Sequence, residues 1–178
     1  MNPSHLMNRA DIQNQAIIMC GISGSGKTRY AKELEKEGFI RLSTDSLIWE
    51  KVGSHLYDLS QEEQKELFKE CNQKVRKRLA SLLKAGQKVV VDATHCKRSV
   101  RNELRNICTE FNVKPLFVYC YADKEELWRR LSLRKGDCAD DLFVTKEQLN
   151  EYWEGFERPE ENEKDFIFVQ SACNQEER

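Results

Sequence analysis

The sequence lacks several features that define large classes of proteins. It contains no run of about 18 apolar residues, which a membrane-spanning helix requires, and it does not begin with the charged and apolar regions of a secretory signal peptide. It also has no internal repeat and no low-complexity tract. A chain of 178 residues is about one domain long and can bury a substantial core. We therefore expect a soluble single-domain protein without a membrane partner.

Paired cysteines are also absent. The seven cysteines are an odd number and form no C-x-x-C pair, so they do not indicate a disulfide framework. His and Cys do not cluster at metal-ligand spacing. We expect a reducing, cytoplasmic location. Cys20 and Cys120 end apolar, strand-like runs, which favours burial as small hydrophobic side chains over reactive thiols.

A strong net charge is missing too. The formal net charge is −1, so no global field holds a polyanion, and any contact with nucleic acid has to be local. Basic residues nevertheless cluster centrally, whereas the chain from Asp137 onward is mostly acidic. We interpret this clustering as helices with solvated charged faces. The central basic residues are Lys69, Lys74, Arg76, Lys77, Arg78, Lys84, Lys88, Lys97, Arg98, Arg101 and Arg105.

Glycine is scarce, but three of the eight glycines fall in one motif, GISGSGKT at residues 21–28. The motif follows the apolar run AIIMC at 16–20 and opens a helical stretch. Glycines let successive backbone N–H groups converge on an anion at a helix N-terminus, so the pattern predicts a cradle for nucleotide phosphates. The expected nucleotide-binding residues are Gly21, Ser23, Gly24, Ser25, Gly26, Lys27, Thr28 and Arg29.

Two side chains of this motif have specific expected roles. Lys27 is placed to reach the terminal phosphates of ATP, and the Thr28 hydroxyl to ligate the Mg²⁺ ion that bridges them. The alternative is a glycine-rich turn without a ligand. The flanking strand and helix signals favour the nucleotide site, so ATP and Mg²⁺ are the expected cofactors.

Strand-like and helix-like segments alternate along the chain. Apolar runs predict strands at 16–20, 39–43, 87–92, 115–121 and 165–170. Capping boxes predict helices that begin after Ser60, Asp123 and Thr145. The pattern predicts an α/β fold with a mostly parallel sheet and helices on both faces. We expect a domain at 16–170 with a lid at about 126–145, between an N-terminal arm at 1–15 and a C-terminal tail at 171–178.

Two carboxylates lie at the carboxyl ends of predicted strands, the sheet edge where such folds bind ligands. Asp45 is a candidate to orient and deprotonate an acceptor hydroxyl, although S-T-D-S is also a helix-capping sequence. Asp92 ends a run of valines, where an unpaired carboxylate is costly. We expect Asp92 to meet Mg²⁺ through water or the Thr28 hydroxyl; a structural hydrogen bond is the alternative. His95 is a candidate acceptor contact or a surface residue.

Arg130 and Arg134 lie four residues apart on a predicted helix, so both can project toward one cleft. An arginine there can stabilise charge on a phosphoryl group in transfer. A solvated basic face is the alternative. The polar stretch from Arg134 to Asp141 has the composition of a closing lid. The candidate catalytic residues are Lys27, Asp45, Arg130 and Arg134.

From about residue 16 to 168 the chain resembles the small P-loop kinases of the polynucleotide-kinase and zeta-toxin-like group. The motifs that carry the resemblance are GISGSGKT at 21–28, LSTDS at 42–46, VVVDATHCKRSVR at 89–101 and ELWRRLSLRKG at 126–136. The resemblance implies a three-layer P-loop NTPase fold with five strands in the order 2-3-1-4-5.

The resemblance also implies roles for individual residues. The family aspartate that matches Asp45 acts on the acceptor hydroxyl, and the lid arginine that matches Arg134 contacts the donor phosphates. Polynucleotide kinases usually carry an arginine three residues after that aspartate to engage an acceptor phosphate. This chain has Ile48 there.

These features lead to two functional hypotheses. The first is an ATP-dependent kinase that phosphorylates a hydroxyl of a small molecule, a nucleoside or a nucleic-acid 5′ end. The second is a regulatory ATP-binding protein that hydrolyses ATP slowly without phosphorylating an acceptor. No N-K-x-D sequence is present to read guanine. A monomer and a dimer are both compatible with the sequence.

Overall fold

The computed structural model describes residues 13–94 and 97–170. Most of the predicted N-terminal arm and the whole predicted tail at 171–178 therefore lie outside the described residues. Within the described ranges, no helix is both long enough and apolar enough to cross a membrane.

A single sheet of five strands organises the described part of the chain. The strands are β1 (Ala16–Cys20), β2 (Ile40–Ser43), β3 (Val89–Asp92), β4 (Leu116–Tyr121) and β5 (Phe166–Gln170). Their order is β2-β3-β1-β4-β5, and all four neighbouring pairs are parallel. The fold class and strand order that the motifs implied are confirmed.

Helices cover both faces of this sheet. They are α1 (Lys27–Lys36), α2 (Thr44–Val52), α3 (Gln61–Lys84), α4 (Arg98–Glu110), α5 (Lys124–Leu131) and α6 (Lys146–Gly155). Successive strand side chains alternate between the faces. Ile18 packs with Leu79 of α3 and Leu104 of α4, whereas the neighbouring Ile17 packs with Tyr30 and Leu34 of α1. The central strand is therefore buried on both sides, which makes three layers.

Capping chemistry sets most of the predicted helix starts. The boxes of Ser60 with Glu63 and Thr145 with Gln148 form as expected. The prediction for α5 is half right. Asp123 is its N-cap, but its side chain makes no capping hydrogen bond. Glu126 pairs instead with two arginines of its own helix, a charge-assisted contact that outcompetes a backbone amide.

Helix α2 was not predicted, and it determines which position of the helix Asp45 occupies. The helix begins directly after β2, with Ser43 as its N-cap; the Ser43 hydroxyl accepts a hydrogen bond from the Ser46 N–H at 3.2 Å. Asp45 is therefore in the first turn. The N-cap alternative for Asp45 is wrong, because Ser43 already fills that role.

Two arginines of α4, Arg101 and Arg105, are not on a solvated face, contrary to the sequence interpretation. Other basic residues of the cluster are exposed as expected, namely Lys69, Lys74, Lys77, Arg78, Lys84, Lys88 and Lys97. Arg101 is fully buried and its Nη2 lies 2.7 Å from Glu163 Oε1. Arg105 pairs with Glu163 and Asp165, and Arg98 pairs with Glu160. The central basic and C-terminal acidic clusters thus meet in space, and their ion pairs attach α4 to the segment that leads into β5.

Candidate active site

The loop between β1 and α1 has the backbone of a phosphate cradle. Gly24 and Gly26 adopt φ of 84° and 96°, a left-handed region that strains other residues. Gly21 has φ of 137°, and a Cβ atom there would lie 2.2 Å from the carbonyl oxygen of Cys120. Gly26 is the residue that precedes the first turn of α1. The loop therefore needs glycine at these positions for its path.

A cavity of about 480 Å³ opens above this loop at the carboxyl edge of the sheet. It gathers residues that are far apart in the sequence, namely Lys27, Thr28, Asp45, Asp92, Arg130 and Arg134. Three predicted nucleotide-binding residues do not line it. Gly21 and Ser25 are buried residues of the loop, and Arg29 is exposed on α1. His95 lies outside the described residues.

Lys27 is held against the loop by its own backbone. Its side chain is buried, and Nζ donates a hydrogen bond to the Ile22 carbonyl at 2.9 Å. Burial lowers the pKa of Lys27, although the nearby charges of Asp92 and Asp45 oppose this shift. A partly desolvated ammonium at the phosphate loop interacts strongly with an anion, because the surroundings screen it poorly.

Asp45 has the proton affinity of a general base that works near neutral pH. Burial raises the pKa of Asp45 to about 6, with the Asp92 charge as the second cause, while Lys27 and Arg134 oppose the rise. A base is most effective when its pKa lies near the operating pH. At pH 7 this carboxylate is mostly ionised, yet it binds a proton far better than an exposed aspartate.

Arg41 of β2 is a site residue that the sequence analysis missed. Its Nε and Nη2 donate to Asp92 Oδ2 at 2.9 and 2.7 Å, and Nη2 also donates to Asp140 Oδ1 at 2.6 Å. Asp92 is thus in a structural ion pair, the alternative left open for it, while still lining the cavity. An arginine inside a predicted strand was the available signal, but its partners lie 51 and 99 residues away.

The two predicted arginines both reach the cavity, each anchored differently. Arg130 donates through Nη1 to the Gly24 carbonyl at 3.0 Å and through Nε to Glu126 Oε1 at 2.6 Å. Arg134 donates through Nη1 to the Leu142 carbonyl at 2.9 Å. Arg129 is exposed and pairs with Glu126. Arg130 of α5 is thus anchored to the phosphate loop itself, and Arg134 to the segment that follows α5.

One wall of the cavity comes from α3, which the sequence analysis did not assign to the site. Phe68, Asn72 and Arg76 line it at intervals of four residues. Each directly follows a buried residue of the apolar stripe of α3, which includes Leu67, Cys71 and Val75. That spacing was the signal available in the sequence. The Thr44 hydroxyl donates to Asn72 Oδ1 at 2.9 Å, which connects this wall to the residue before Asp45.

The residues of the cavity suit a magnesium nucleotide. Oxygen ligands are what Mg²⁺ prefers, and the Thr28 hydroxyl and the Asp92 carboxylate both line the cavity beside Lys27. The cradle of positive-φ glycines supplies the backbone N–H groups for phosphate. Thr28 and Asp92 would hold the ion, and the loop residues that line the cavity, Ser23, Gly24, Gly26 and Lys27, would hold the phosphates.

Comparison with known structures places this fold among kinases. A gluconokinase from Sinorhizobium meliloti 1021 is 24% identical over 89% of this chain and 83% of that chain, with a TM-score of 0.63. Shikimate kinase from Acinetobacter baumannii is 17% identical over 94% and 88%, with a TM-score of 0.56. A chain of the Pnkp1/Rnl/Hen1 RNA repair complex is 21% identical over 80% and 43%, with a TM-score of 0.65.

The sequence itself matches a known family. Residues 17–159 match the AAA domain family AAA_33, a span that includes the phosphate loop, Asp45, Asp92, Arg130 and Arg134. This match and the strand order confirm the resemblance to small P-loop kinases. The chain therefore belongs to this AAA domain family and has the three-layer fold of the small P-loop kinases.

Proposed function

We propose that the protein is a kinase that transfers the γ-phosphoryl group of ATP to a hydroxyl group of a small acceptor. The observation that carries this proposal is the presence of Asp45, a carboxylate with its pKa raised to about 6, in the same cavity as the phosphate loop. A base at this place is suited to an acceptor hydroxyl that sits beside the terminal phosphate.

In the proposed transfer, the acceptor oxygen attacks the γ-phosphorus and a new P–O bond forms. The bond from the γ-phosphorus to its bridging oxygen breaks, and the electron pair leaves with ADP. Asp45 accepts the hydroxyl proton. The step balances without a further reactant, and its main demands on the protein are alignment and charge neutralisation.

The cationic side chains meet the second demand. Lys27 lies at the cradle, and Arg130 and Arg134 reach the same cavity from α5 and the following segment. Bound Mg²⁺, which Thr28 and Asp92 would hold, would add its own positive charge to the site. The segment at about 126–145 would act as the lid that excludes water, and within it Arg134 joins the cavity to Leu142.

The position that carries an arginine in polynucleotide kinases favours a small acceptor over a nucleic-acid 5′ end. Ile48 is fully buried and packs with Leu56, Leu67 and Leu142 in an apolar cluster. It does not line the cavity. The corresponding contact to the phosphate of a nucleic acid is therefore missing, and acceptor recognition falls to other residues of the wall.

The test is a transfer assay with γ-labelled ATP, Mg²⁺ and a panel of sugars, sugar acids, nucleosides and 5′-hydroxyl oligonucleotides. We expect label on a small acceptor, and loss of that label in Asp45→Asn. The control is Asp58→Asn, which changes an exposed carboxylate paired with His55. Label found only in free phosphate across the panel would favour the regulatory ATPase instead.

A further inference from the structure

The α3 wall of the cavity contains a cation that the donor nucleotide does not need. Lys27 and Arg130 hydrogen-bond to carbonyls of the phosphate loop, and Arg134 reaches the cavity from the segment after α5. Arg76 instead comes from α3, which packs against α2, α4, β2 and β3. Arg76 is placed by the same helix face that presents Asn72. Its position therefore associates it with the acceptor rather than with ATP.

The Thr44–Asn72 hydrogen bond fixes the position of the α3 wall relative to Asp45. Asn72 is tied at 2.9 Å to the residue that precedes Asp45. Arg76 follows four residues later, roughly 6 Å along the helix axis. An acceptor that reaches both Asp45 and Arg76 therefore carries its hydroxyl and the group that Arg76 binds at separate positions.

Arg76 can bind an anion in the cavity although it already pairs with Glu103. Its Nη2 lies 2.9 Å from Glu103 Oε2, and the Glu103 side chain is 55% exposed. A guanidinium has five N–H donors, and this pair engages one nitrogen. Glu103 thus orients Arg76 from the solvent side. An ion pair that is half exposed contributes little by itself, so an anion in the cavity can compete with it.

The charges of the cavity also favour an anionic acceptor. Of its three carboxylates, Asp92 and Asp140 are both paired with Arg41, and Asp45 is the base. We propose that the physiological acceptor carries a carboxylate or phosphate group, which Arg76 binds with the help of the Asn72 amide, while Phe68 covers its apolar part. This proposal rests on the proposed kinase function and specifies the substrate class of the same site.

Matched acceptor pairs test this proposal directly. Gluconate is compared with glucitol, its neutral open-chain counterpart, and a nucleoside 3′-monophosphate with its nucleoside, each as an acceptor in the transfer assay. We expect the anionic member of at least one pair to have a KM at least tenfold lower. Arg76→Gln should raise that KM 10- to 100-fold and leave the KM for ATP unchanged, whereas Arg76→Lys should restore part of it. Arg78→Gln, which changes an exposed arginine of the same helix, should change neither constant.

Binding without turnover separates this proposal from the kinase hypothesis. Calorimetry with the same pairs and a non-hydrolysable ATP analogue should show at least tenfold tighter binding of the anion, and Arg76→Gln should remove the difference. Equal binding of both members, or an unchanged preference in a folded Arg76→Gln protein, overturns the anionic acceptor. Failure to label any acceptor overturns the kinase function, while calorimetry still decides the role of Arg76.

Discussion

The guanidinium of Arg41 donates two hydrogen bonds to a single oxygen of Asp92, Oδ2, at 2.9 and 2.7 Å. The other oxygen, Oδ1, accepts neither of them. One carboxylate can therefore be fixed by the sheet and still present an oxygen to the cavity. The two roles considered for Asp92, the ion pair and the proposed magnesium ligand, are therefore compatible. Arg41 would orient the carboxylate so that Asp92 can bind the ion.

The first prediction concerns this support. Arg41→Gln should raise the Mg²⁺ concentration needed for half-maximal activity about tenfold or more, since loss of a group that orients a metal ligand typically costs 10- to 100-fold. Mg²⁺ titrations of the transfer rate measure the effect. Asp140→Asn removes the second partner of Arg41 but leaves Asp92 bound, so it should have a much smaller effect. Equal effects of the two variants would contradict the support role.

The second prediction concerns the pH dependence of the reaction. The pKa of Asp45 is raised to about 6, so kcat/KM should fall on the acid side with an apparent pKa near 6 and decrease roughly tenfold per pH unit below 5. Rates measured from pH 4.5 to 8 test this. An acid limb near pH 4 would show that Asp45 has an ordinary pKa and is poorly suited as the base.

The raised pKa of Asp45 also predicts how stability depends on pH: ionisation favours catalysis but destabilises the fold. A carboxyl whose pKa is higher in the fold than its ordinary 3.8 binds its proton more tightly when folded, so the protein loses stability as pH rises from about 4 to 6. Asp45→Asn should therefore raise the melting temperature at pH 8 and change it less at pH 4. Thermal unfolding at both pH values measures this. A lower melting temperature at pH 8 would contradict it.

The third prediction separates the arginines of α5 and the segment after it. Arg134→Gln should lower kcat about 10²-fold, because it removes a positive charge placed to stabilise the phosphoryl group in transfer. Arg129→Gln removes an exposed arginine that pairs with Glu126 and should change kcat by less than about twofold. Steady-state kinetics at saturating ATP compare them. Comparable losses would indicate a general charge effect instead of a specific contact.

The fourth prediction concerns the buried ion pair beneath β5. Burial alone would raise the pKa of Glu163, but hydrogen bonds from Arg101 and Arg105 lower it to about 2. Glu163→Gln removes the carboxylate that binds the buried Arg101 and should reduce the free energy of unfolding by about 3 kcal/mol at pH 7. Urea denaturation measures it, and the exposed Glu161→Gln is the control.

The pH dependence of this pair has the opposite direction to that of Asp45. A pKa lowered from 4.5 to about 2 contributes stability above pH 4.5, and the contribution is lost as pH falls from about 4.5 to 2. Glu163→Gln should therefore approach the unmodified protein in stability at low pH. A constant difference between the two proteins over this range would show that the carboxylate charge is not the cause.

Local patterns predicted the elements, but partners distant in the sequence could not be predicted. The phosphate loop, the apolar strands and the boxes at Ser60 and Thr145 depend on residues near one another in the chain, so their spacing is informative. The contacts Arg41–Asp92 and Arg101–Glu163 join residues 51 and 62 positions apart. A charge pattern cannot distinguish such pairs from solvated faces, and this is why the interpretation of α4 was wrong.

The site was predictable to a similar degree. Asp45 and Asp92 follow strands, and parallel strands bring their carboxyl ends to one edge, so their proximity follows from the topology. The α3 wall did not follow, because Asn72 and Arg76 lie within a helix whose direction relative to the sheet depends on packing. Their four-residue spacing beside the apolar stripe was visible, but it equally describes a solvated helix flank.

The kinase assignment requires both an intact phosphate cradle and a base. Lys27→Ala should cost about 3 kcal/mol of transition-state stabilisation, roughly 10²-fold in kcat/KM, by analogy with other preorganised charges. Initial rates of label transfer measure it. Normal activity would contradict the whole site assignment, because Lys27 is the buried cation of the loop.

The most direct test of the central claim compares label transfer and ATP binding in Asp45→Asn. The account predicts that transfer of the γ-phosphoryl group to the acceptor falls at least about 10²-fold while the Kd for ATP stays within about twofold, since Asp45 acts on the hydroxyl and not on the nucleotide. A transfer rate equal to that of the unmodified protein would contradict the account.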